Sequence, residues 1–238
     1  MSNIQWNKVT WYSKIVALTL FVALPFVGFY LGVQYGVIQG FIAATPKAAT
    51  IPVATTGSNY YSNTAEWQTD ANNTKGGFSI AYPIDFGTQD NYTATPDTNW
   101  RNGATSTGIV YFTLTIPKAF EPQTNLADVT LRVGSSGNAN AVAQCLNVDP
   151  NSGETMSTST ATINGIVFTI FHASEAGAGN FYQTTSYRTV HAGQCYAIEY
   201  TIHSANIENY PASYNLQPFD QAKIDSLMQT IISTFQFT

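Results

Sequence analysis

The stretch "RTVHAGQCYAIEYTIHS", Arg188 to Ser204, decides the fold. From Cys195 onward its apolar residues recur every second position, and a period of two puts alternate side chains on opposite faces of a strand. Tyr196, Ile198, Tyr200 and Ile202 share one face, which reads as the core side. Cys195, Ala197, Glu199, Thr201 and His203 share the other. The preceding "NFYQTTSYRTV" is a second strand, and His191–Gln194 is the loop between them. A tight turn centred on Ala192–Gly193 sets Val190 opposite Cys195 and Ser186 opposite Glu199.

The same stretch gathers His191, Cys195, Glu199 and His203. Their crowding suggests a metal site or a thiol active site, and strand geometry excludes both. Residues four apart on a strand are about 13 Å apart, whereas the donors of one metal ion all lie within about 2–2.6 Å of it. Cys195 and His203 are farther apart still, so they form no nucleophile–base pair. His191 reads as a solvated turn histidine. Arg188 lies diagonally from Glu199 on the same face, within reach of a long side chain. A structural Arg188–Glu199 ion pair is expected; an open polar ligand site at the same two residues is the alternative.

Working outward, the β-branched and aromatic enrichment continues. "GFSIAY" ends at Pro83, "GIVYFTLTI" ends at Pro117 and "DVTLRV" ends at Gly134. "TATI" and "IVFTIF" flank Asn164–Gly165, a strong hairpin signal. "EAGAGN" (175–180) has glycines loosely spaced like a phosphate loop. It lacks the lysine and the following helix, and reads as a flexible connection. His172 reads as a core-edge histidine. Two helices are expected. "NANAVAQCL" (138–146) is short and Ala-rich, while "FDQAKIDSLMQTIISTF" (219–235) carries Ile224, Leu227, Met228, Ile231, Ile232 and Phe235 as one apolar stripe. The sum is an α+β domain over 66–238, an antiparallel sheet covered by the C-terminal amphipathic helix and the short second helix.

The N-terminal part is different. From Ile15 to Ala44 no residue is charged, and the best membrane span within it runs from Ile15 to about Val37. The expected order is a cytoplasmic N-terminus (1–14), a transmembrane helix (15–40), a flexible linker (41–65) and the extracytoplasmic domain. Lys8 and Lys14 precede the span and only Lys47 follows, which places the N-terminus inside. A cleaved signal peptide has a shorter apolar run. The span is followed by no cysteine for a lipoprotein anchor, and it lacks the glutamate of a type IV pilin. Pro25 is expected to kink the helix. Gly28, Gly32, Gly36 and Gly40 recur every fourth residue and form a candidate helix-pairing face for a homo-oligomer in the bilayer.

Charge follows this division. The first fifty residues hold Lys8, Lys14 and Lys47 and no acid, a net +3; the remaining 6 basic and 14 acidic residues leave the rest at −8. An acidic domain argues against nucleic acid as a partner. Charged residues make up only 10% of the chain, well below the usual quarter. Neutral polar residues therefore make the surface.

"GFSIAYP", "LTIPKAFEPQTN", "SYRTVHAGQCYAIEYTIHSANIENY" and "FDQAKIDSLMQTIISTFQF" together resemble a group of uncharacterised, single-pass membrane-anchored proteins of candidate-phyla bacteria, of Patescibacteria or Parcubacteria type. The resemblance spans most of 67–238 and implies envelope localisation; it assigns no activity. At the level of fold alone, the order of elements is similar to PsbP/Mog1-type domains, which serve mostly as binding or assembly modules.

The chain has two cysteines, Cys145 and Cys195. An exported domain with an even cysteine count usually pairs them, so a Cys145–Cys195 disulfide is expected, with two free buried thiols as the alternative. No G-x-S-x-G, H-E-x-x-H or paired C-x-x-C occurs. No catalytic, metal or cofactor residues are assigned. The expectation is an envelope-anchored, non-catalytic binding or assembly module with an unknown envelope partner. The rival is an exported hydrolase that draws on loop acids such as Asp85, Asp90, Asp97 and Glu121. The loop residues Trp100 and Arg101 and the segment 117–125 are the other pointers to function.

Overall fold

A computed structural model describes residues 11–42, 64–72, 76–90, 96–148 and 153–238, with side chains except those of 28–42, 71–72, 89–90 and 156–158. The expected linker lies almost wholly outside the described residues, and so does most of the cytoplasmic segment. The chain divides into two compact units, Met1–Gly57 and Ser58–Thr238.

The first unit contains α1, Trp11–Ile42, a helix of 32 residues with Pro25 inside it and no acidic residue in its first turn. At 1.5 Å per residue it is about 48 Å long. Every residue from Trp11 to Val27 is exposed, including Phe21, Leu24 and Phe26. Among the described residues no helix is long and apolar enough to cross a membrane. Gly28, Gly32, Gly36 and Gly40 belong to α1, but their surroundings lie outside the described side chains.

The second unit is α+β, and the antiparallel pairings build it. One sheet has seven strands in the order β3-β4-β5-β9-β8-β7-β6. In chain order these are β3 (Gly87–Asp90), β4 (Ile109–Pro117), β5 (Leu126–Ser136), β6 (Thr155–Ile163), β7 (Ile166–Gly177), β8 (Asn180–His191) and β9 (Gln194–Ala205). A smaller sheet pairs β1 (Gln68–Asn72), β2 (Phe78–Tyr82) and β10 (Gln236–Phe237) in the order β1-β2-β10. The register of the opening hairpin is the expected one, with Val190 opposite Cys195 and Ser186 opposite Glu199.

Three hairpins of the large sheet turn in the same way. Asn164–Gly165, Ala178–Gly179 and Ala192–Gly193 each carry positive φ at both positions, as a two-residue type I′ turn demands. This corrects the reading of 175–180 as a flexible connection: β7 runs to Gly177 and β8 begins at Asn180, because Ala178–Gly179 supplies the same turn as Ala192–Gly193. Gly134 likewise does not end its strand. β5 continues to Ser136, paired on both sides by β4 and β9.

The inner face of the large sheet is the main core. Phe112, Leu114, Leu131, Val133, Ile198 and Ile202 pack there with Phe78 and Ile80 of β2. The helix α3, Gln221–Ser233, starts at Asp220, whose carboxylate accepts the Lys223 N–H as an N-cap. Its stripe of Ile224, Leu227, Met228, Ile231 and Ile232 is buried, and Phe235 follows into the same core. The second helix, α2, is only Ala139–Ala143, capped by Asn138, shorter than the nine residues of the expected segment.

Candidate functional site

The outer face of the large sheet is the face of Cys195, Ala197, Glu199 and Arg188. It is not open. Cys145, just after α2, is joined to Cys195 at the start of β9, with Cα atoms 5.5 Å apart. Around this bridge a second core forms from Trp100, Ala141 and Ala197. Trp100 sits on a loop closed at its base by two backbone hydrogen bonds between Asp97 and Gly108, of 2.8 and 2.9 Å. Its indole N–H donates to the Ser106 carbonyl at 2.9 Å. The ring lies against Gly108, at the base of the loop, and Gly134 of β5. A Cβ on Gly134 would stand 2.9 Å from the Trp100 carbonyl oxygen and 3.0 Å from that of Ile109. The loop residue flagged in the sequence is thus a plug that holds the loop to the sheet.

All three arginines of the chain, Arg101, Arg132 and Arg188, lie in or beside this loop. The expected Arg188–Glu199 pair does not form. Glu199 instead pairs with Arg132 at 2.5 Å, because β5 places Arg132 directly opposite Glu199, whereas Arg188 is only diagonal to it. Glu199 also accepts the Asn102 backbone N–H, at 2.9 Å to its Oε2. Arg188, fully buried, pairs with Glu154 through both terminal guanidinium nitrogens, Nη1 at 3.1 Å. It also lies over the Phe171 ring at 4.2 Å. Arg132 donates to the Asn99 carbonyl at 2.9 Å and Arg188 to that of Asn102 at 3.4 Å. Two ion pairs therefore fasten the 97–108 loop to the sheet.

The four reactive residues of the opening stretch serve four separate purposes. Cys195 is in the disulfide and Glu199 is under the loop. His191 is not simply solvated: its ring stacks on Phe237 at 3.8 Å. His203 stacks on Tyr182 at 4.5 Å, with Nδ1 3.0 Å from Asp128 and Nε2 2.9 Å from Asn180. The rival's acids are not gathered either. Asp97 caps its own 3-10 turn, Glu121 pairs with Lys223, Asp85 is exposed in the turn before β3, and the Asp90 side chain lies outside the described residues.

A different titratable group lies on the inner face, where β7, β8 and β9 meet α3. Tyr200 donates its phenol to Asp225 at 2.9 Å, and His172 Nδ1 is 3.2 Å from the Thr185 hydroxyl. Burial pushes the Asp225 carboxyl above its ordinary range, holds the His172 imidazole below its own and raises the Tyr200 phenol, with Asp225 adding to that last effect. Asp225 carries no local signal beyond its place in α3.

A concavity lies elsewhere, at the end of the sheet where β4 starts, β5 ends and β9 starts. It measures about 350 Å³ and is lined by Pro96, Tyr111, Gln194 and residues 107–109 and 135–138. The pairing of β4 with β5 shifts between Val110 and Phe112, so Tyr111 is an extra residue in its strand; such bulges re-aim side chains. Ser135 donates to Gln194 Oε1 at 2.7 Å, and Ser136 donates to the Thr107 carbonyl at 2.6 Å. The walls are therefore ordered by their own hydrogen bonds. No acidic or basic side chain lines the cleft.

No protein-family model matches the chain, and no curated protein matches it. Among solved structures the chain is similar to LpqN, described as involved in cell envelope biogenesis of Mycobacterium tuberculosis. The identity is 15%, over 72% of this chain and 90% of that one, with a TM-score of 0.36. A likeness of that degree carries no conclusion about fold or function.

Proposed function

We propose that the chain is a single-pass, envelope-anchored protein whose domain works outside the cytoplasm as a non-catalytic binding or assembly module. The observation that carries this reading is α1. Its described side chains are apolar over most of their length and exposed at every position from Trp11 to Val27. A helix apolar on all sides has no stable place in water and belongs in lipid or a protein core. The apolar sequence continues without a charge to Ala44, which supplies the length for a span over 15–40. Within the bilayer, the Gly28, Gly32, Gly36 and Gly40 face offers a surface for self-association.

Two further observations support export and binding. Disulfides persist in oxidising compartments, and Cys145–Cys195 stands at the centre of the outer layer. The ionic groups of that layer are spent on holding a loop, while the cleft beside it is preformed and uncharged, as binding sites often are. Protease added outside cells, after permeabilisation of any outer layer, tests the topology. Digestion of 45–238 with the cytoplasm still sealed is expected. A protected domain under those conditions overturns the reading.

A further inference from the structure

We propose that the cleft between the starts of β4 and β9 and the end of β5 is a saccharide-binding site. The proposal deepens the binding reading above and rests on it for the setting, not for the chemistry. The chemistry comes from the lining. Of its ten residues none is acidic or basic, so a phosphate, a carboxylate or a cationic ligand would lose its hydration there without a counter-charge. What the cleft offers is hydroxyl, amide and aromatic surface.

Contacts within the walls hold these groups in place. Gln194 Oε1 is held by the Ser135 hydroxyl at 2.7 Å, which fixes the amide plane and leaves its N–H donors for a ligand. Asn138 accepts the Asn140 N–H through Oδ1 at 2.9 Å, which orients a second amide in the same way. Thr107 is exposed at the rim and brings a hydroxyl. Tyr111 brings a ring, set by its bulge and by an edge-on contact with Phe78 at 6.3 Å. Planar amides, hydroxyls and an aromatic face match a sugar, whose hydroxyls both donate and accept and whose C–H face is apolar. The volume, about 350 Å³, lies within the usual range for small-ligand sites.

A peptide is the other neutral polar ligand, and the strands argue against it. Capture of an extended peptide by a sheet uses an unpaired edge. Ser135 in the cleft is paired with Ile109 on one side and Tyr196 on the other, so no edge is free at that point.

The test uses the full chain in lipid nanodiscs, titrated by calorimetry with three neutral hexasaccharides, of N-acetylglucosamine, glucose and mannose. Saturable binding of at least one, with Kd below about 1 mM, is expected. It should be unchanged between about 0.05 and 0.5 M salt, since no charge pair is involved. Gln194→Ala and Thr107→Val should each weaken it at least about fivefold, the order of one lost hydrogen bond; Thr107→Val, at the exposed rim, should do so with its unfolding midpoint unchanged. His172→Gln, on the inner face, should leave it as it was. The proposal fails if none of the three binds, if Gln194→Ala binds as the parent does, or if an uncharged hexapeptide binds instead. A failure here with the domain still digested from outside removes the ligand class and leaves the anchored module standing.

Discussion

The two faces of the seven-stranded sheet are both covered over their centres, but by opposite chemistry. The inner face is closed by α3 and the small sheet through side chains such as Leu114, Ile198 and Ile231, all essentially inaccessible. The outer face is closed by a loop, a disulfide and two ion pairs, with Arg188, Glu199 and Cys195 equally inaccessible. Apolar packing is non-directional and tolerates small errors of placement. Buried charges tolerate none, since each needs its partner at hydrogen-bond distance. The inner face therefore supplies a general driving force for folding, and the outer face fixes one arrangement of the 97–108 loop and hence the rim of the cleft.

The sharpest way to break this comparison is to treat the outer face as an ordinary polar surface. On such a surface Arg188→Met would cost no more than about 0.5 kcal/mol. If the layer is a second core, the same change strands Glu154 without its counter-charge and should cost about 3–5 kcal/mol. That equals the loss expected from Phe235→Ala on the inner face, about 3–5 kcal/mol. Urea unfolding of both variants decides. Adding Glu154→Gln to Arg188→Met should recover part of the loss, because the stranded carboxylate is gone; no recovery would show that the cost was packing against Phe171 rather than charge.

The disulfide provides a smaller effect. It closes a loop with a sequence separation of 50, for which the chain-entropy model gives about 4 kcal/mol, and real bridges deliver about 2–4. Replacing both cysteines by alanine should lower stability by that amount while leaving the inner core intact. Near-ultraviolet circular dichroism should then report a changed environment for Trp100, which packs in the same cluster. A double variant as stable as the parent, with an unaltered Trp100 signal, would make the bridge incidental to the outer layer.

How far each face could be read from the sequence follows from the same contrast. The inner face announces itself locally. Tyr196, Ile198, Tyr200 and Ile202 alternate, Ile224 to Ile232 recur at helical spacing, and Asn164–Gly165 marks its turn, so strand, helix and register are legible within a few residues. The disulfide was legible as well, since two cysteines allow only one intramolecular pairing. The ion pairs were not. Arg132 meets Glu199 across 67 positions and Glu154 meets Arg188 across 34, and local pattern records nothing of that distance. The hairpin alone made Arg188 the nearest cation to Glu199; only the β5–β9 pairing, invisible in either strand, brings Arg132 closer. The cleft was equally hidden, because residues 107–109, 135–138 and Gln194 meet only after β4, β5 and β9 have paired.

The smallest expected effect concerns a polar corner of the inner face, and its sign can be worked out. His172 is partly shielded beside Thr185, with Asp225 of α3 nearby; Tyr187 and Tyr200 complete the corner. Burial holds the His172 imidazole below its ordinary 6.5, although the nearby Asp225 carboxylate opposes this. The unfolded chain then binds that proton more readily than the folded one, so stability contributed by His172 is lost as pH falls through 6.5 towards the folded value. Asp225 works in the other direction. Burial raises it above 3.8, although Tyr200 and His172 oppose this, so its contribution is lost as pH rises from 3.8 through the folded value. His172→Gln should flatten the acid-side loss that begins near 6.5. Asp225→Asn, which keeps an acceptor for the Tyr200 phenol, should flatten the loss above 3.8. Because His172 keeps a large part of its surface in contact with water and Asp225 is only half-buried, each change should stay within about 0.5 kcal/mol. Urea midpoints of parent and variants across that range measure it. An acid-side slope in His172→Gln equal to that of the parent would remove this histidine from the account and leave Asp225 and Tyr200 to carry the pH dependence of that corner.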